Sequence, residues 1–219
     1  MAIKHPKTQV RRAELLKAAR EVFAEKGFEA TTVSEIVSRA GVAQGTFYLY
    51  FPSKISVAKA LADEMRGEIE QALRVIFAQA TTPEEIIDHS VEAAFRILGE
   101  YSDVLALTHS GVRWLGAENA DSFVHDRPTG PRDNRKEQAR AEKTSSSFFT
   151  RYHGLIAEAI RNDQATGAVP AEIDPDVTAT FIVGMIYYAA DQCYVYHMAP
   201  PEVYIREAAH FIRWALGLR

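Results

Sequence analysis

Residues 32–51, TVSEIVSRAGVAQGTFYLYF, limit what this chain can fold into more than any other stretch. Thr32 stands three residues before Glu35, the spacing of a capping box at a helix start. Val33, Ile36 and Val37 then share one helical face. Gly41 follows Ala40 where a helix ends in a left-handed residue that glycine adopts cheaply. A second short helix opens near Ala43, with Phe47 and Phe51 four residues apart and both able to point inward. Gln44, Thr46, Tyr48 and Tyr50 are left on its outer sides. Two small helices, a glycine turn and a polar-aromatic outer face describe a helix-turn-helix. The competing reading is a plain helical hairpin with a solvated face. Neighbouring exposed tyrosines weigh against it, because such a face is more cheaply made from Lys and Glu.

The wider run FAEKGFEATTVSEIVSRAGVAQGTFYLYFPSKISVAKAL, residues 23–61, resembles the DNA-binding domain of the TetR family of bacterial transcriptional repressors. The resemblance is carried by the Phe23–Phe28 helix end with Gly27 and the Thr-Thr-Val opening. It continues through the Ala-Gly-Val turn, the Gly-Thr-Phe-Tyr recognition helix and the Phe-x-Ser-Lys exit. It implies an all-α fold of about nine helices: a three-helix DNA-binding head, residues 1–54, and a larger effector-binding and dimerisation body, residues 55–219. A looser match covers 166–186, TGAVPAEIDPDVTATFIVGMI, where the family has a similar turn before its penultimate helix.

Composition sets the outer bounds. A hydrophobic share of 47% in 219 residues excludes wholesale disorder and suffices for one sizeable core or two small ones. The apolar runs are too interrupted to span a bilayer. The N-terminus is basic without an apolar signal segment, and the single Cys193 permits no internal disulfide, so a cytoplasmic protein is expected. Residues 1–54 hold nine Lys or Arg against five Glu, whereas the remainder holds sixteen against twenty-four acids. A basic head on an acidic body fits a DNA contact confined to the head.

Within the head, Phe23, Phe28, Ile36, Val42, Phe47 and Phe51 are assigned to the core. Thr32, Gln44, Gly45, Thr46, Tyr48, Tyr50 and Lys54 are assigned to DNA. Gln44 can make two hydrogen bonds to a base edge, adenine being the usual partner. Gly45 lets the backbone approach DNA, and Thr46 suits a phosphate or a thymine methyl. The Tyr48 and Tyr50 hydroxyls can donate to phosphate oxygens, which fixes register without reading sequence. Thr32 offers a hydroxyl and a helix N-terminus to a phosphate. Lys54 opposes the dipole of the helix it opens, at a cost of up to ~1 kcal/mol. A bound phosphate reverses that sign, and the resemblance implies this use of the lysine. Ile55 departs from the family, which commonly has an acid there. The basic residues before Arg12 form either an arm that follows phosphates or a frayed terminus.

The fourth helix, about 53–80, leads into the body. Thr82-Pro83-Glu84-Glu85 marks the next helix start. Residues 116–131 read as a loop, and the charged stretch 132–143 reads as an extension of the seventh helix. The last two helices carry more apolar surface than one small body needs to hide. Phe181, Met185, Tyr188, Ile205, Ala209, Ile212 and Leu216 are therefore expected at a homodimer interface, which the resemblance also implies. The alternative is that both helices fill the monomer core. The resemblance further implies a small-molecule effector pocket, with His89, Phe95, His109, Arg113, Trp114, Phe148, Tyr152, Tyr187, Asp191 and Tyr194 as candidate lining. For each of these, core packing is the competing role. Asp191 needs a partner in its aromatic helix, either a cationic ligand or a tyrosine or arginine of the body. No histidine spacing suggests a metal, no nucleophile motif or phosphate loop suggests an enzyme, and no cofactor is expected. The expected function is a homodimeric repressor released from a palindromic operator in double-stranded DNA by a largely apolar effector. The rival is a DNA-binding regulator without a small-molecule switch, controlled by a partner or acting as an activator.

Overall fold

The computed structural model of the chain describes residues 6–107 and 152–218. His109, Arg113, Trp114, Phe148 and the charged stretch 132–143 lie outside them. Every described element is a helix. The order is α1 (Pro6–Ala30), α2 (Val33–Ala40), α3 (Gln44–Tyr50), α4 (Lys54–Gln79), α5 (Pro83–Glu100), α6 (Ser102–Leu107), α7 (152–166), α8 (Pro175–Tyr194) and α9 (Pro201–Ala215). They form two compact units. Of the described residues, the first holds 6–67 together with 101–107, and the second holds 68–100 and 152–218. The division thus falls inside α4 rather than at residue 54, and α6 belongs with the head.

The first unit is built on local sequence. Gly27, at φ 76°, breaks α1, and Phe28 folds back so that its ring lies 5.3 Å from that of Phe23. Leu15, Leu16, Ala19, Val22 and Phe23 are buried along α1. Each large side chain among them contributes about 1.5–3 kcal/mol by leaving water. The Thr32–Glu35 capping box forms as its spacing requires, and Gly41 ends α2 in the left-handed region at φ 66°. Arg39, in the last turn of α2, reaches back to α1 at Glu25 (2.7 Å) and Glu21 (3.3 Å). Phe47 and Phe51 pin α3 to this core with ring centroids 5.9 Å apart.

In the second unit α5 packs on α8 and α9, and α8 packs on α9. Thr82 Oγ1 accepts from the Glu85 N–H (3.2 Å), while Thr81 donates its N–H and hydroxyl to the Glu85 carboxylate. Asp174 caps α8 by accepting from the N–H groups of Asp176 and Val177, both at 3.0 Å. Gly99 lets α5 and α8 meet: a Cβ there would stand 2.7 Å from Tyr194 Cζ. The Tyr194 hydroxyl uses that approach to donate to the Phe95 carbonyl at 2.9 Å.

Candidate nucleic-acid interface and ligand cavity

The outer face of α3 is arranged by its inner one. Phe47 is fully buried, so residues on the opposite side of this short helix stand in solvent. Gln44, Gly45 and Tyr48 are exposed, and Thr46 and Tyr50 are half-buried. The Tyr48 ring rests edge-on against Phe47, 5.4 Å between centroids, which limits its freedom while its hydroxyl faces outward. Leu49 is 81% exposed between the two tyrosines. The sequence reading passed over it, although its position two residues from Phe47 places it outward by helical periodicity alone.

Two residues assigned to DNA have other partners. Lys54 Nζ donates to the carbonyls of Phe28 (2.6 Å), Thr31 (2.7 Å) and Glu29 (3.3 Å), and it lies 4.3 Å from the centre of the Phe28 ring. Burial lowers its pKa, with Glu29 and Glu35 opposing. The ammonium expected to meet a phosphate is therefore placed at the C-terminal end of α1, on three backbone carbonyls. Its unfavourable place in the α4 dipole is offset by the free carbonyls of another helix. Thr32 is likewise engaged. Its N–H and hydroxyl donate to Glu35 Oε2 at 2.9 and 2.8 Å, and its Oγ1 accepts from the Glu35 N–H. The hydroxyl expected to meet a phosphate is spent on the cap. Bonds from Lys26 and then Thr32 hold the Glu35 carboxyl down at about 2.

The head's basic excess is also partly internal. Arg12 pairs with Glu64 and lies over the Phe51 ring, Arg11 pairs with Glu14, and Arg20 lies 3.6 Å from Asp103. Pro6 onward is helical, so Lys7, Arg11 and Arg12 belong to α1 and not to an extended arm. Among the described residues of the head, the polar-aromatic face of α3 stays open to solvent.

The second unit holds a partly open cavity of about 100 Å³ between α4, α5, α7, α8 and α9. Its wall is aliphatic, with Ile69, Leu73, Leu98, Ile160 and Ile186 among the lining residues. Tyr152 and Tyr187 supply a polar spot. Their rings stack with centroids 6.3 Å apart, and their hydroxyls are hydrogen-bonded to each other. Ser90 Oγ is buried with no partner among the described residues.

A family model described as "Bacterial regulatory proteins, tetR family" matches residues 15–61. The HTH-type transcriptional regulator YvdT of Bacillus subtilis is 26% identical over 209 residues, covering 93% of this chain and 94% of that protein. Residues 15–61 thus form a DNA-binding domain of the tetR family. Among solved structures, the fatty acid degradation regulator FadR of Bacillus halodurans superposes with a TM-score of 0.73 at 21% identity, covering 100% of both chains. FadR of Bacillus subtilis, solved in complex with stearoyl-CoA, gives 0.68 at 18% identity over 93% of this chain and 97% of that one.

With this domain the chain is a DNA-binding transcriptional regulator. No described helix is long and apolar enough to cross a membrane. Of the described residues expected to line an effector pocket, the structure brings Tyr152 and Tyr187 to the cavity. His89 is exposed, and Phe95, Asp191 and Tyr194 are not on its wall. Phe95 is buried between the rings of Tyr194 and Tyr204, each 6.3 Å away. Asp191 is buried and accepts from Gln192 Nε2 at 3.4 Å.

The residues expected at a dimer interface divide in the same way. Phe181 and Tyr188 are 70% and 67% exposed, and Met185 and Ile205 are half-buried. Ala209, Ile212 and Leu216 are buried inside the protomer, the last two on the cavity wall, so they offer no free surface. Trp214 (72% exposed), Phe211 and Val177 are further exposed apolar residues of α8 and α9, with Phe211 and Trp214 in ring contact at 6.0 Å.

Proposed function

We propose that the chain is a homodimeric repressor that binds a palindromic operator through two copies of α3 and is released by a small, largely apolar effector. The apolar cavity of the second unit carries this reading, because a solid core would favour a regulator without a small-molecule switch. Enclosed apolar space with a few polar atoms is the usual form of a ligand site. The FadR complex with stearoyl-CoA supports the same use of a body of this fold. The exposed aromatic face of α8 and α9 supports a two-fold dimer, since self-complementary apolar surface is what an isologous interface needs. Two recognition helices read two half-sites, and the effector needs only ~1–3 kcal/mol of coupling to switch them.

The test is selection of bound fragments from random duplex DNA by the purified chain, with Gln44→Ala and Tyr48→Ala as controls. A palindrome that the parent chain enriches, and that each control enriches more weakly, is the expected result. No enriched sequence at modest salt overturns the reading. An effector recovered later must lower operator affinity at saturation, and unchanged affinity would leave the regulator without its switch.

A further inference from the structure

We infer that the effector pairs an apolar body with a cationic head, as an alkylamine does, and is not a coenzyme A ester. This rests on the reading of the cavity as an effector site. The inner space of about 100 Å³ suits a compact apolar group. It does not end there. A wider space of about 460 Å³ shares Phe77, Ile86, Ala159 and Asp163 with it, so a ligand can lie across both.

The outer space adds charge. Arg74, Glu158 and Asn162 line it, and Asp163 stands where the two spaces join. The Arg74 guanidinium is already spent: its Nε and one terminal nitrogen donate to Glu70 Oε1 at 3.2 and 2.9 Å. Glu158 and Asp163 have no such cation among the described residues. Burial, and then the charge of Glu84, raise the Asp163 pKa. An ammonium in this outer space meets carboxylates on its lining, whereas the phosphates of coenzyme A meet charges of their own sign. The unpartnered Ser90 hydroxyl on the inner wall offers one further bond to a polar atom on the ligand's body.

The experiment is calorimetric titration of the full chain at pH 7 with hexylamine, hexanol and hexanoyl-CoA, three probes sharing one apolar tail. Hexylamine is expected to bind at least tenfold more tightly than hexanol, to be displaced by hexanol, and to exceed hexanoyl-CoA by more. Asp163→Asn combined with Glu158→Gln should bring hexylamine down to the level of hexanol and leave hexanol unchanged. Tightest binding by hexanoyl-CoA, an amine preference that survives the double substitution, or failure of hexanol to compete each overturns the inference and leaves the effector reading standing. Binding by none of the three overturns both.

Discussion

The Lys54 ammonium stands 2.6 Å from the carbonyl oxygen of Phe28 and 2.7 Å from that of Thr31, tying the first residue of α4 to the end of α1. Lys54→Met keeps most of the stem that packs on Phe28 and removes these bonds. Bonds from a charged donor are worth about 1.5–3 kcal/mol when buried, and partial exposure discounts this to about 1–2 kcal/mol. Urea unfolding measures it. A phosphate contact would instead lower the salt dependence of operator binding by about one counterion. The expected result is a stability loss with that slope unchanged.

Arg20 lies 3.6 Å from Asp103 and 4.2 Å above the Tyr101 ring, so α1 holds α6 by one guanidinium. Asp103 is nearly buried, and burial raises its pKa against the pull of Arg20. Arg20→Ala leaves that carboxylate without its cation and should cost about 2–3 kcal/mol. Asp103→Asn in the same chain should recover part of it, which a double-mutant cycle reads directly. An acid whose folded pKa is raised destabilises the fold above that pKa, and the cost is relieved as pH falls. The Arg20→Ala defect should therefore shrink on acidification.

How far these features could be read from sequence depends on how local they are. The Thr32–Glu35 box and the Gly27 and Gly41 stops need only neighbours in the chain, and each forms where the spacing places it. The partners of Lys54 come from 23 to 26 residues away, so a dipole argument confined to its own helix pointed to a missing phosphate. Helix α9 misleads for another reason. Both its sides are apolar, Ala209, Ile212 and Leu216 facing inward and Phe211 and Trp214 outward. Periodicity cannot say which stripe meets the protomer's own core. The cavity needs five helices to exist, and among the described residues expected to line it the two tyrosines are on its wall.

The exposed stripe gives a prediction that separates assembly from folding. Phe181→Glu with Trp214→Glu changes side chains that stand in solvent in the isolated protomer, so its stability should change by no more than about 0.5 kcal/mol for each. Sedimentation should show a dimer for the parent chain and a monomer for the variant. Ile212→Glu puts an unpaired charge into the core instead, and should unfold the second unit.

On α3 the two kinds of DNA contact should part company. Gln44→Ala removes a donor and acceptor suited to a base edge, and is expected to cost about 1–3 kcal/mol and relax preference at one position of each half-site. Tyr48→Phe removes one phosphate-directed hydroxyl, and should weaken all sequences alike. Competition binding with single-base variants of the selected operator distinguishes them. Equal loss of specificity in both variants would mean that Tyr48 also reads a base.

Glu35 supplies a pH signature for the start of α2. The carboxyl titrates at about 2 in the folded chain instead of its ordinary 4.5, through bonds from Lys26 and Thr32. A lowered folded pKa contributes stability that is complete above the unfolded value and is lost as pH falls through the folded one. The window is thus between about 4.5 and 2. Glu35→Gln can still reach back to the Thr32 N–H, as a capping box allows, but cannot carry the charge that Lys26 meets. The parent chain should therefore exceed the variant in stability by its largest margin near neutral pH, and the two unfolding curves should converge as pH falls through that window. A margin that stays constant with pH would show that the Lys26 bond contributes nothing in solution.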